Sequence, residues 1–157
     1  SLLAEKLDIP VGFHAHANLQ MQLPNTLAAL ECGASYTDGT LRGLGAGAGN
    51  TPTEVLAAVL LRNGYESGLN LHAAEDAAEL LAKMDIFVPP CADAAAITIG
   101  YAGVYGSFAR HAKNAALKYG VDARDILYAC GERKVVGGQE DIIIEEAVKL
   151  AKKQSKN

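Results

Sequence analysis

The spacing of apolar residues changes near residue 90 of the chain. Before that point, short apolar runs of strand length alternate with stretches in which apolar residues recur every three or four positions, as on one face of a helix. The short runs predict strands over residues 9–13, 34–38 and 69–71. After Pro89-Pro90 only the helical spacing remains. We therefore expect an α/β unit followed by an all-helical unit.

Helices are expected between and after the three strands, at about 24–31, 52–63 and 73–84. The order strand, helix, strand, helix implies a parallel sheet with helical crossovers. Thr51-Pro52-Thr53-Glu54 has the Thr and Glu spacing of a capping box, with Pro at the first helical position. The opening stretch SLLAEKLDIP is typical of the tail of an amphipathic helix, so we expect the chain to begin within a larger architecture.

The second part of the chain is predicted to be helical throughout. Single or paired glycines separate its apolar segments and favour turns between them. We place the boundary between the two parts near residues 86–92, giving units of 1–88 and 89–157. The expected helices are 93–99, 107–119, 123–132 and 139–152.

Composition narrows the class of protein. Half of the 157 residues are hydrophobic and a fifth are charged, which favours a packed core over disorder. The net charge of −4, without a basic stripe, argues against nucleic-acid binding. No apolar run is long enough for a membrane span, and no signal peptide is visible. Three cysteines far apart indicate reduced thiols and a cytoplasmic protein.

Two of the four histidines lie close together in the stretch GFHAHANL, directly after the first predicted strand. His14 and His16 are two residues apart, so on a strand they point to the same face. Paired imidazoles offer a divalent metal two nitrogen ligands. The alternative is that both are hydrogen-bonded residues at a strand end, without a metal. Asn18 could bind a substrate oxygen, hold a histidine in place, or cap a turn.

The glycine-rich stretch GLGAGAGN, residues 43–50, precedes a predicted helix. Such a loop can bring backbone N–H groups to an anion at the helix N-terminus. It matches neither GxGxxG nor a Walker loop, because the required glycine and lysine are missing. A tight, densely packed turn explains the glycines equally well.

The stretch GYAGVYGSF places Tyr101 and Tyr105 four residues apart, on one face if the segment is helical. A tyrosine here could donate a hydrogen bond to a substrate. Packing with a satisfied hydroxyl is the more common role of such a residue. His72 and His111 lie in helical contexts without a partner motif, and we interpret both as structural or surface residues.

Four stretches taken together, in order along nearly the whole chain, resemble a known family. GFHAHANL, TDGTLRGLGAGAGNTPTEVL, IGYAGVYGSFARHA and VVGGQEDIIIEEAVKLA are similar to the C-terminal portion of the 4-hydroxy-2-oxovalerate aldolases. These belong to the metal-dependent aldolase and lyase superfamily, with the hydroxymethylglutaryl-CoA lyases and 2-isopropylmalate synthases. HxHxN with GAGAGN marks the superfamily, and GYAGVY with VGGQED points to the aldolases.

The resemblance implies a fold and partners. The three predicted strands would be the last three βα units of a TIM (β/α)₈ barrel, with the first five strands absent. The helical unit would dock an acylating acetaldehyde dehydrogenase. The family cleaves 4-hydroxy-2-oxopentanoate to pyruvate and acetaldehyde in aromatic-compound degradation, so a small 2-oxo acid is the expected substrate.

The resemblance also implies site residues. His14 and His16 match the two histidine ligands of a divalent metal, usually Mn²⁺, and Tyr105 matches a tyrosine near the bound substrate. The family's third ligand, an aspartate, and its catalytic base belong to the first part of the barrel. We therefore expect this chain alone to be inactive and to self-associate through an open sheet edge. The alternative is a non-catalytic docking module derived from the same aldolase.

Overall fold

The computed structural model of the protein describes residues 2–155, and the chain divides into two compact units at Ala92 and Asp93. Among the described residues, the first unit combines two strands with helices, and the second contains four helices. Ser1, where the predicted N-terminal helix starts, lies outside the described residues, as do Lys156 and Asn157. No helix among the described residues is both long and apolar enough to cross a membrane.

The first unit contains a strand–helix–strand motif whose two strands are parallel. Strand β1 (Gly12–Phe13) pairs with β2 (Tyr36–Thr37), with Gly12 opposite Tyr36 and Phe13 opposite Thr37. Helix α2 (Gln22–Glu31) lies between them in sequence, as a parallel crossover requires. The strands predicted at 9–13 and 34–38 are thus confirmed, although only the paired residues form regular sheet.

The strand predicted at 69–71 is wrong, because Leu71 is the first residue of a helix. Asn70 is the N-cap of this helix, and its side-chain oxygen accepts a hydrogen bond from the Ala73 backbone N–H at 3.0 Å. A capped helix start therefore overrides a three-residue apolar pattern that is too short to define a strand.

The predicted capping box at Thr51–Glu54 is also wrong. Pro52 itself occupies the N-cap position of the helix that follows, and no side chain caps that end. The Glu54 carboxylate instead accepts hydrogen bonds from the Arg42 backbone N–H at 3.1 and 3.2 Å. The other helices of the first unit are α1 (Leu2–Lys6), α3 (Thr53–Arg62) and α4 (Leu71–Ala82), with a 3₁₀ turn at Leu41–Gly43.

The second unit is a four-helix arrangement around one apolar core. Phe108, Ile126, Cys130, Ile143 and Ala147 are fully buried at its centre. These residues recur at helical spacing on one face of their helices, and burying that face holds the unit together. The helices are α5 (Ala94–Ala102), α6 (Phe108–Tyr119), α7 (Ala123–Glu132) and α8 (Glu140–Gln154).

Candidate metal centre

The histidine pair lies directly beyond the carboxyl end of β1. The ring centroids of His14 and His16 are 4.9 Å apart, and the two ring planes are almost perpendicular. Both side chains are exposed. The prediction that the two imidazoles project together is confirmed.

A carboxylate from the neighbouring strand meets this pair. Asp38 directly follows β2, and its Oδ1 lies 2.6 Å from Nδ1 of His14. Sequence analysis did not single out Asp38. The signal was nevertheless present, because Asp38 ends the second predicted strand and the carboxyl ends of parallel strands meet at one sheet edge.

The glycine-rich loop packs against the backbone that carries the histidines. The Ala17 N–H donates to the Gly49 carbonyl at 2.9 Å, and His16 and Asn50 form an antiparallel bridge. A Cβ added to Gly49 would lie 2.3 Å from the Gly43 carbonyl oxygen, so no larger residue fits there. This close approach agrees with the interpretation of the loop as a tight, densely packed turn.

Asn50 is a polar residue of this loop whose importance the sequence did not indicate. Its Nδ2 donates to the Leu44 carbonyl at 3.1 Å. Its Oδ1 is buried and has no hydrogen-bond partner among the described residues. Burying an amide oxygen without a hydrogen-bond partner costs free energy. The Asn50 oxygen is therefore a candidate to bind a group that these residues do not supply.

Arg42 fixes the segment between β2 and the loop. Its backbone adopts a left-handed conformation, with φ of 53°, and its N–H donates to the Glu54 carboxylate. Its guanidinium lies 5.6 Å from the centre of the Phe87 ring and 3.5 Å from Glu79. A non-glycine residue is held in this conformation only where surrounding contacts determine it.

The two tyrosines of GYAGVYGSF do not share a face. Tyr101 lies in α5, whereas Gly103 ends that helix with a φ of 65° before Tyr105 is reached. The Tyr105 side chain is 64% exposed and packs edge-on against Phe108, and Tyr101 packs edge-on against Tyr128. The role of Tyr105 at the substrate stays a prediction.

The residues of the first unit fit part of a metal site. The side chains of His14 and His16 carry nitrogen donors of the kind that manganese and related ions accept, and the Asn50 oxygen is of a compatible donor type. Within residues 2–155, no three His, Cys, Asp or Glu side chains are arranged to hold an ion. A complete coordination shell therefore needs further oxygen ligands from substrate, solvent or additional chain. His72 and His111 are exposed, which agrees with their interpretation as surface residues.

Two family models match this chain. A family model described as HMGL-like matches residues 1–81, and one described as a DmpG-like communication domain matches residues 90–152. The first match covers more than half of the chain, which therefore belongs to the HMGL-like family.

Curated relatives extend the similarity along the chain. The 4-hydroxy-2-oxovalerate aldolase of Carboxydothermus hydrogenoformans is 55% identical over 93% of this chain and 44% of its own length. That of Pelotomaculum thermopropionicum is 54% identical over 98% of this chain and 45% of its own length. This chain thus spans a little under half the length of these relatives.

A solved structure is similar to part of the chain. The crystal structure of the N-terminal domain of a candidate aldolase from Bacteroides vulgatus matches with a TM-score of 0.50 and 30% identity. The match covers 63% of this chain and 33% of that one. The likeness supports an aldolase-type α/β fold, while the assignment of strands β1 and β2 to a TIM barrel stays a prediction.

Proposed function

We propose that this chain is the C-terminal, metal-binding portion of an aldolase that cleaves 4-hydroxy-2-oxopentanoate to pyruvate and acetaldehyde. The observation that carries the proposal is the exposed His14–His16 pair at the carboxyl end of a parallel strand. This is the end at which barrel enzymes bind their substrates. The relatives that bear the name of this activity match nearly the whole chain.

The chemistry explains the need for a metal. Cleavage leaves an electron pair on the pyruvate fragment as an enolate, and a bound divalent cation would supply a Lewis acid that stabilises that charge. His14 and His16 would hold the cation, for which we propose Mn²⁺. The glycine-rich loop, fixed by the Ala17–Gly49 hydrogen bond, would keep the backbone beneath the histidines in place.

The domain assignment follows from the same proposal. Residues 1–88 would form the last part of a TIM barrel, and residues 89–157 would form the helical domain. The first strands, the third metal ligand and the base that removes the 4-hydroxyl proton would belong to a portion that the relatives have and this chain does not span. Tyr105 would contact the substrate.

We also propose a cytoplasmic location, because the three cysteines are free thiols.

The helical unit is proposed to dock an acylating acetaldehyde dehydrogenase. The match to the communication-domain family supports this partner. The exposed aromatic pair formed by Tyr101 and Tyr128 supports it as well, because large aromatic side chains are enriched in protein interfaces. If docking is the only role of the chain, it will bind the dehydrogenase but not Mn²⁺.

Activity is tested best in a fusion. Residues 1–157 replace the matching C-terminal portion of the Carboxydothermus aldolase, and release of pyruvate from 4-hydroxy-2-oxopentanoate is followed with added Mn²⁺. We expect turnover by the fusion, none by the 157-residue chain alone, and loss of turnover in His14→Ala. His72→Ala, a matched change at an exposed histidine, should retain activity. A fusion that folds, binds Mn²⁺ and yields no pyruvate would contradict the proposed reaction.

A further inference from the structure

Asp38 and His14 occupy equivalent positions on neighbouring strands. Gly12 pairs with Tyr36 and Phe13 with Thr37, so the next residues in this parallel register are His14 and Asp38. Side chains at matching positions of adjacent parallel strands point to the same face. The register therefore brings a carboxylate beside the first histidine, and the side chains meet at 2.6 Å.

The contact has a consequence for the histidine ring. An ionised carboxylate only accepts hydrogen bonds, so Nδ1 of His14 must carry the hydrogen that it donates to Asp38. In a neutral imidazole the other nitrogen, Nε2, then keeps its lone pair. That nitrogen is the one left to bind a cation.

We propose that Asp38 is a positioning residue, which fixes the tautomer and orientation of His14 so that Nε2 faces a divalent cation. Ligating histidines commonly donate their second ring N–H to a carboxylate in this way. His16 is positioned differently, through its backbone bridge to Asn50. Asp38 is hydrogen-bonded to His14, and among the described residues no three His, Cys, Asp or Glu side chains form a metal-binding group, so the arrangement favours the positioning role over that of a third ligand. The inference rests on the proposed metal-binding role of His14.

The tautomer can be measured without any metal. Long-range ¹H–¹⁵N correlation spectra of the ¹⁵N-labelled 157-residue chain, at about pH 8 where an imidazole is neutral, report which ring nitrogen carries hydrogen. We expect the Nδ1–H form for His14 in the wild type and in Asp38→Asn, whose amide oxygen still accepts. In Asp38→Ala the Nε2–H form should appear, with His16 unchanged. A wild-type His14 in the Nε2–H form, or no change in Asp38→Ala, would overturn the inference.

Affinity for Mn²⁺, measured by electron paramagnetic resonance of the free ion, gives the second readout. Asp38→Ala should weaken binding by about 10- to 100-fold, and Asp38→Asn should restore most of the loss. Equal losses in both variants would make Asp38 a direct ligand and overturn the positioning role, as would wild-type affinity in Asp38→Ala. If His14→Ala binds Mn²⁺ as tightly as the wild type, the proposed function fails instead, whatever the tautomer spectra show.

Discussion

Gly131 of α7 lies directly against the backbone carbonyl of Ala102 at the end of α5. A Cβ on Gly131 would fall 2.3 Å from that oxygen and 3.2 Å from the Ala102 Cβ. Neither neighbour is the end of a flexible side chain, so the two helices would have to move apart. The absence of a side chain at this position therefore allows the close packing of the helical unit.

Gly131→Ala should destabilise the protein by about 1–3 kcal/mol, the usual cost of overpacking. Gly106→Ala is the matched control, because a Cβ there meets no atom within 4 Å and no unusual backbone angle is involved. The control should be neutral or slightly stabilising. Urea unfolding followed by circular dichroism compares the two. Equal stabilities would show that α5 and α7 pack less closely than described.

The surroundings of Glu146 lead us to expect that the stability of the helical unit depends on pH. Burial alone raises the pKa of this carboxyl, but hydrogen bonds from Lys149 at 2.7 Å and Arg133 at 2.5 Å outweigh it and lower the pKa. A lowered native pKa means that the unfolded state binds the proton more readily. The stabilisation is therefore present above the ordinary pKa of 4.5 and is lost as pH falls through the native value.

Glu146→Gln should lower the free energy of unfolding at pH 7 by about 1–2 kcal/mol and flatten its decline below about pH 5. Glu145→Gln is the control, because Glu145 also contacts Arg133, at 3.1 Å, but is about half exposed. The control should change stability by less than about 0.5 kcal/mol. Urea midpoints at several pH values give the comparison, and an unchanged acid dependence in Glu146→Gln would rule out the ion pairs as its source.

The cap of α4 provides a third prediction. Asn70→Ala removes the acceptor for the Ala73 N–H and should cost about 1 kcal/mol, whereas Asn70→Asp keeps the acceptor and should cost little. Thermal unfolding of the three proteins measures the difference. Similar losses in both variants would mean that the side-chain hydrogen bond does not stabilise the helix.

The first unit also has an exposed apolar surface, from which we expect the chain to self-associate. Leu2 and Leu3 of α1 are each 60% exposed, and with Val11 and Phe13 they border an apolar groove of about 390 Å³. The double change Leu2→Glu/Leu3→Glu should shift the chain towards the monomer in sedimentation velocity. Leu117→Glu, at an 80% exposed position of α6, should leave its oligomeric state unchanged. A wild-type chain that is monomeric at high concentration would contradict the prediction.

The helical unit could be read from the sequence more accurately than the sheet. Helix α7 has the predicted bounds, Ala123–Glu132; in the structure Asp122 caps its start and Gly120 ends the preceding helix. These are local signals, which a sequence displays directly. The length of a strand depends on which residues pair with a neighbouring strand, and the local sequence pattern does not report this pairing. Only Gly12–Phe13 and Tyr36–Thr37 therefore form regular sheet.

The candidate site was predictable in part. The spacing of His14 and His16 was enough to place both imidazoles on one face. To place Asp38 in the site, one must know the register between β1 and β2. To place Asn50 there, one must know the path of the loop back to His16. The Thr51–Glu54 spacing predicts a cap, whereas the partner of Glu54 is the Arg42 N–H, twelve residues away, which local spacing does not reveal.

The metal centre is tested most directly by Mn²⁺ binding to the 157-residue chain, measured by electron paramagnetic resonance for the wild type, His14→Ala, His16→Ala and His72→Ala. We expect one bound ion in the wild type and in His72→Ala, and a large loss of affinity in each of the other two. Binding that survives both His14→Ala and His16→Ala, or no binding by the wild type, would contradict the assignment of this pair as the metal centre.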